Sequence, residues 1–256
     1  MNRWSVIVWA TTVAMAVTVG AVGAPQYVDG IDAAFPPFSF IDETGNPAGF
    51  DVDVVRWIAE EMGFELEIVP VDWDAIIPTL LVGNIDFIAS GMTITEARKE
   101  QVAFTEAYWQ VDLAIVVRER TPTGGEPQPE FNVFTAVQPG RRIGVQRGTT
   151  SQEWLEEQVV DSGISVNLVL YDNFLLALED LVIGRIDAAV MDEPTALSSI
   201  ADRPLTVVGT IATGEIYGYA VRKGDTELLA LLNEGLRRIQ SAPVWDELVA
   251  KWLVGR

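Results

Sequence analysis

Leu80-Leu81-Val82-Gly83-Asn84-Ile85-Asp86 returns 101 residues later as Leu181-Val182-Ile183-Gly184-Arg185-Ile186-Asp187, with four of the seven positions identical. Each copy has the grammar of an apolar helix end, a glycine able to take the left-handed turn that stops a helix, and a strand start. The echo predicts two units on one building plan; the same grammar arising twice independently is the alternative. Upstream of the first copy, Val54, Trp57, Ile58 and Met62 fall at helical spacing, with Asp51 as N-cap and Gly63 as stop. Phe64 to Ile68 alternates as a half-buried strand does, and Asp74 to Val82 reads as a helix with Pro78 in an early turn. Ile85 to Ala89 follows as a short strand. Around the second copy come a strand over 142–146, a helix over 151–160 with Thr150 and Glu153 as capping box, a strand over 166–171, a helix over 174–183 and a strand over 186–191. Two amphipathic helices, 227–240 and 244–253, close the chain. This alternation makes an α/β protein with largely parallel sheets. The Pro/Gly-rich run over 119–140 interrupts it as a loop or a crossing between units.

In open α/β sheets ligands sit beyond the carboxyl ends of the strands. Those ends are Ser90-Gly91 in the first copy and Met191-Asp192 in the second, and two such ends face to face make a cleft for a small molecule. Composition narrows what that molecule can be. With 37 acidic against 17 basic residues, the net charge of −20 repels nucleic acid and anionic lipid. The absence of cysteine excludes disulfides, thiolate catalysis and a lipid-modified cysteine anchor. The absence of histidine removes the Ser-His-Asp triad and the usual general base near neutral pH. No calcium-loop spacing is present, so neither a metal site nor a cofactor is expected.

The first 24 residues differ from the rest. Arg3 is their only charge, Trp4 to Val22 is apolar or small, and Ala21-Val22-Gly23-Ala24 precedes Pro25. The pattern predicts a secretory signal peptide over 1–24, with an uncleaved membrane anchor as the alternative.

Ser90-Gly91-Met92-Thr93-Ile94-Thr95-Glu96-Ala97-Arg98 carries the most chemistry. A strand ends in small residues, backbone N–H groups come free, a hydroxyl follows, and an arginine sits one turn past Thr95. A carboxylate is recognised by that set, through a bidentate guanidinium fork with amide and hydroxyl donors. The plainer reading is a short helix capped by Thr95, with Arg98 solvated. Asp51 and Asp53, like Asp72 and Asp74, read as helix-capping residues rather than as sites.

Together with Ile31-Asp32-Ala33-Ala34-Phe35-Pro36-Pro37-Phe38, Gly49 to Asp53, Asp72 to Pro78, Gly144 to Thr150 and Gly184 to Glu193, this stretch resembles the periplasmic polar-amino-acid-binding proteins of ABC importers, bacterial solute-binding protein family 3. The resemblance covers residues 27–256. It implies a two-lobed periplasmic-binding-protein fold of type II, two α/β lobes joined by two hinge strands. Lobe one would comprise 27–115 plus 219–256 and lobe two 116–218, with 114–118 and 217–222 side by side as the crossing strands.

By the same resemblance Arg98 grips the α-carboxylate of an L-amino acid, helped by the Gly91 and Thr93 amides, the Thr93 hydroxyl and the Thr150 backbone. Asp192 accepts from the α-ammonium beside the Ser90 carbonyl. Phe35 and Trp73 sandwich the side chain, and Asp32 and Gln146 face its distal end. The implied protein is a periplasmic monomer, without a lipid anchor, that performs no chemistry and presents its ligand to an ABC permease in the inner membrane. Ser151 stands where many members carry a longer polar residue. Asp32 disfavours acidic ligands, and two flat aromatic walls favour a guanidinium, so arginine ranks first and glutamine second. Two rivals share the scaffold: a cyclohexadienyl-dehydratase-like enzyme with Glu193 as acid, and a ligand sensor that docks on a membrane receptor.

Overall fold

The computed structural model describes residues 23–119 and 133–254. Nearly all of the predicted signal peptide, and the centre of the Pro/Gly-rich run, lie outside the described residues. The chain opens with β1 (Gln26–Ile31) and a small antiparallel sheet of β2 (Ala34–Phe35), β3 (Ser39–Ile41) and β4 (Pro47–Ala48). Then come α1 (Phe50–Met62), β5 (Glu65–Pro70), α2 (Trp73–Leu81), β6 (Phe87–Ile88), α3 (Glu96–Lys99) and β7 (Val102–Phe104). β8 (Trp109–Arg118) leads to α4 (Val133–Ala136), β9 (Arg142–Gln146), α5 (Thr150–Leu155) with a π-helical turn over Glu156–Val160, β10 (Asn167–Tyr171) and α6 (Phe174–Val182). The last elements are β11 (Ala188–Asp192), α7 (Glu193–Ile200), β12 (Leu205–Tyr217), β13 (Ala220–Arg222), α8 (Thr226–Gln240) and α9 (Pro243–Trp252). Pro78 lies in the second turn of α2.

Two five-stranded sheets result, β5-β1-β6-β13-β7 and β10-β9-β11-β8-β12. The first three strands of each run parallel, and the fourth is antiparallel to both its neighbours. Order and sense are therefore the same in both. The echo lies behind this likeness. Gly83 and Gly184 take φ of 82° and 81° at the two helix ends. The Asp86 N–H then donates to the Val28 carbonyl at 2.8 Å while its carboxylate accepts from the Val28 N–H at 3.0 Å. Asp187 repeats both bonds on Arg142, at 2.8 and 2.9 Å.

The structure does not pair 114–118 with 217–222. Residues Ala114–Arg118 of β8 face Leu205–Thr210 of β12, while β13 lies in the other sheet. All of β8 from Trp109 onward belongs to the second sheet, so the chain passes between sheets at 105–108 and 218–219, the first passage earlier than a boundary at 115. The shared apolar-then-arginine pattern reflects equivalence instead. Arg118, ending β8, donates to the Leu181 and Ile186 carbonyls at 2.7 and 2.9 Å, and Arg222, ending β13, donates to those of Leu80 and Ile85. Each fourth strand thus supplies the arginine that closes the helix–glycine–strand turn of its sheet.

Asp51 is not an N-cap. Gly49 holds that position, and the Asp51 carboxylate is fully buried. Its Oδ2 accepts from the Gly91 N–H at 2.7 Å and the Tyr108 hydroxyl at 2.9 Å, and its Oδ1 from the Tyr219 hydroxyl at 3.4 Å. Tyr108 and Tyr219 lie on the two passages, so one α1 side chain fastens both of them and the turn at Gly91. Asp53 is not a cap either; it accepts from Lys251 and Trp252 at 2.7 and 2.8 Å, which ties α9 to α1. Around Asp51 an aromatic cluster fills the core, with Phe38 edge-on to Tyr217 at 5.1 Å and Tyr108 on Tyr219 at 4.8 Å. Each such pair adds about 0.5–1.5 kcal/mol beyond area burial.

Burial pushes the Asp51 carboxyl up to about 7 despite its three donors. A carboxyl raised in the folded state contributes stability that is full below its unfolded value and is lost as pH climbs to the folded one. Asp29, Asp32 and Asp192 shift in the same direction, again through burial. The melting temperature is therefore expected to fall between about pH 5 and about pH 8, and to fall less steeply in Asp51→Asn. Scanning calorimetry at both pH values checks this; a rise toward pH 8 in the wild type would contradict it.

Candidate ligand-binding site

Between the strand ends of the two sheets lies a small, tightly closed cavity. Asp32, Phe35, Trp73, Ser90, Gly91, Thr93 and Arg98 line it from the first unit, and Gln146, Thr150 and Asp192 from the second. Thus all ten sequence-predicted residues come together. Thr149 and Phe174 also line it and were not expected. Phe174 opens α6 as Trp73 opens α2, 101 residues earlier, so extending the echo by that offset identifies it.

Arg98 owes its place to α3. The Thr95 hydroxyl caps that helix by accepting from the Arg98 N–H at 3.2 Å, so the plainer reading of Thr95 holds, yet Arg98 is only 8% exposed. Its guanidinium lies 5.3 Å from the centre of the Trp73 ring. It donates to the Thr93 carbonyl at 2.8 Å and, across the cleft, to the Gly148 carbonyl at 3.1 Å. Both acceptors are neutral, and among the described residues no carboxylate forms an ion pair with it. Burial lowers its pKa from the ordinary value, opposed by Glu153, Asp192 and Glu215.

Opposite stands Asp192, at the end of β11 and 6% exposed. It takes the N-cap position of α7 without capping it, and accepts instead from the Tyr217 hydroxyl. Burial pushes its carboxyl up to about 7, with Glu215 adding to the rise and Tyr217 and Arg98 opposing it. Asp32 accepts from the Ala34 N–H at 2.9 Å and from Gln146 Nε2, across the cleft, at 2.8 Å. Its own N–H donates to the Ser90 hydroxyl, which also bonds Ser39, so Ser90 anchors Asp32 through its side chain. Trp73 Nε1 donates to the Gly148 carbonyl at 3.1 Å, and Phe35 meets Phe174 with ring centres 5.9 Å apart.

Several expected details need correction. The Gly91 N–H is bound to Asp51 and is not free for a ligand. Gly91 matters for its shape: at φ +57°, a Cβ would lie 2.4 Å from the Phe35 ring. The Thr150–Glu153 capping box does not form, because Thr149 is the N-cap of α5 and accepts from the Gln152 N–H. Thr150 is then the first helical residue, whose N–H has no partner within the helix. The Thr93 hydroxyl is also committed elsewhere, donating to Glu215 at 3.1 Å. Asp72 occupies the N-cap position of α2 without a side-chain cap bond, and Asp74 pairs with Arg147 at 3.4 Å. Glu193, the candidate acid, lines a separate groove with Trp109, Asp112 and Leu197.

Among the described residues no group of three or more acidic side chains could hold a metal ion, and no helix is long and apolar enough to cross a membrane.

The comparisons agree with this geometry. The family model for bacterial extracellular solute-binding proteins, family 3, matches residues 28–255. An L-arginine-binding protein of Pseudomonas aeruginosa is 34% identical over 232 residues, 87% of this chain and 86% of that protein. An ancestral arginine-binding protein bound to arginine superposes with a TM-score of 0.80 at 37% identity, covering 90% of this chain and 98% of that one. The ancestral amino acid-binding protein AncCDT-1, a precursor of cyclohexadienyl dehydratase, gives 0.79 at 35% identity, over 89% and 95%. With its two lobes, its interlobe cavity and a family match over nearly its whole length, this chain belongs to the bacterial extracellular solute-binding proteins, family 3.

Proposed function

We propose that this solute receptor closes on a polar L-amino acid, arginine before glutamine, and delivers it as a monomer from the periplasm to an ABC permease. The apolar leader after Arg3 supports export. One observation carries the ligand class. A guanidinium is buried against neutral carbonyls, facing a buried carboxylate from the other lobe. A zwitterion supplies both missing charges at once. Arg98, with the N–H groups of Thr93 and Thr150, takes the α-carboxylate, and Asp192 takes the α-ammonium. Asp32 with Gln146 meets the distal end. Its carboxylate can only accept hydrogen bonds, which suits a guanidinium or an amide and repels a second carboxylate. Names of relatives point the same way, since arginine appears in those of the Pseudomonas protein and the ancestral one. The dehydratase alternative fits poorly, because Asp32 and Asp192 would oppose a dicarboxylate substrate.

Arg98→Ala is expected to remove a partner costing about 2–5 kcal/mol and so abolish amino-acid binding with the fold kept. Arg98→Lys should bind poorly too, lacking the bidentate fork. Titration calorimetry beside circular dichroism reads both, and near-normal affinity in Arg98→Ala would overturn the assignment.

Asp192 must be ionised to hold an ammonium, and its carboxyl sits at about 7. Arginine affinity should therefore rise as pH increases through that value, with protons released on binding. Calorimetry in buffers of differing ionisation enthalpy measures the release; proton uptake would contradict it.

Asp32→Asn should lower arginine affinity about 10-fold while largely keeping that for glutamine, as expected when a charge-assisted bond becomes neutral. Competition titrations test the ranking, and tight glutamate binding by the wild type would refute it.

A further inference from the structure

Glu215 has no place in the site as read from the sequence, yet it is bonded to two residues that line the cavity. Between Ile211 and Glu215, β12 slips by two residues against β8, and Gly214 takes φ +70° there. Such bulges re-aim side chains. One carboxylate oxygen, Oε2, accepts from the Thr150 hydroxyl at 2.7 Å and from the Thr93 hydroxyl at 3.1 Å. Both threonines are buried, and both line the ligand cavity. Glu215 itself lines a neighbouring groove, to which Thr93 and Thr150 also contribute.

A threonine hydroxyl has one proton and two lone pairs. Free, it donates to a carboxylate or accepts from an ammonium as the ligand requires. With its proton held by a carboxylate that can only accept, it has nothing but lone pairs left for the cavity. We propose that Glu215 is a specificity-determining residue, which turns the Thr93 and Thr150 hydroxyls into acceptors and so selects a ligand bearing a protonated amine. The hydroxyls then join Asp192 around the ammonium and leave the α-carboxylate to Arg98 and backbone N–H groups. This inference rests on the amino-acid reading above and adds the residue that distinguishes an amino acid from its deaminated analogue.

The test titrates L-arginine and L-glutamine, each beside the analogue with a hydroxyl replacing the α-amino group, into wild type and Glu215→Gln. A carboxamide can donate as well as accept, so it no longer fixes the hydroxyl protons. Amino-acid affinity should fall about 10-fold, as for loss of a charge-assisted arrangement, while the hydroxy-acid affinity holds or rises. The same substitution in a Thr93→Val/Thr150→Val background should change that preference little, because the hydroxyls it acts through are gone. Equal losses for both ligand types, or an undiminished effect without the hydroxyls, would overturn the proposal and leave the amino-acid reading intact. Failure of the wild type to bind either amino acid would overturn both. Matching melting curves for the variants confirm that folding is unchanged.

Discussion

A buried guanidinium that makes no ion pair among the described residues is the constraint around which this cleft is arranged. Moving such a charge out of water carries a penalty of several kcal/mol even after relaxation. Two neutral carbonyls offset it only in part, and they come from opposite sides of the cleft: Thr93 holds Nη1 and Gly148 holds Nη2. The Trp73 ring covers the cation, and its own N–H donates to the same Gly148 carbonyl. The first lobe thus presents a cation that is never fully satisfied by its own groups. The second lobe presents Asp192, whose ionised form is likewise disfavoured by burial. Each half-site is costly alone, and on the amino-acid reading proposed above a zwitterion between them relieves both.

That arrangement requires two lobes whose strand ends face each other, and the repeated plan supplies them. Equivalence reaches beyond strand order. Asp86 and Asp187 make the same pair of backbone bonds, and Arg222 and Arg118 close the same turn. Each arginine arrives on the strand that has just crossed from the other lobe. The crossings are therefore anchored at their far ends into the turns that begin β6 and β11, the strands leading to Ser90 and Asp192. Helix, turn and binding edge in each lobe are held by the strand that enters directly from the other lobe.

What could be read from the sequence follows from how local the physics is. Helix ends at Gly63, Gly83 and Gly184, the alternating strand after Gly63, and the Thr95 cap depend on neighbours in the chain, and they appear where expected. The ten cavity residues were legible because their order along the chain resembles a known family. The misses are long-range. Asp51 looks like any acidic residue in a first helical turn, and only the fold reveals that Tyr108 and Tyr219 reach it from 57 and 168 residues away. Glu215 depends on a bulge in β12, for which Gly214 is the sole local sign. Residues 114–118 and 217–222 share a pattern because of symmetry, and pattern alone cannot separate symmetry from pairing.

Asp51 also joins the hinge to the site. Its carboxylate holds the passage at Tyr108, the passage at Tyr219 and the N–H of Gly91, whose missing side chain makes room for the Phe35 ring. Tyr217, one residue before the second passage, donates to Asp192 on the opposite wall. A rotation of one lobe on the other would move Tyr108 and Tyr219, and both are bonded to the group that fixes the turn at Gly91. Hinge residues absorb such motion through a few loop or element-terminal positions. Here those positions carry side chains bonded to site carboxylates or to the residues that place them. On the amino-acid reading proposed above, closing the cleft and completing the ligand's ammonium and carboxylate contacts are parts of a single movement.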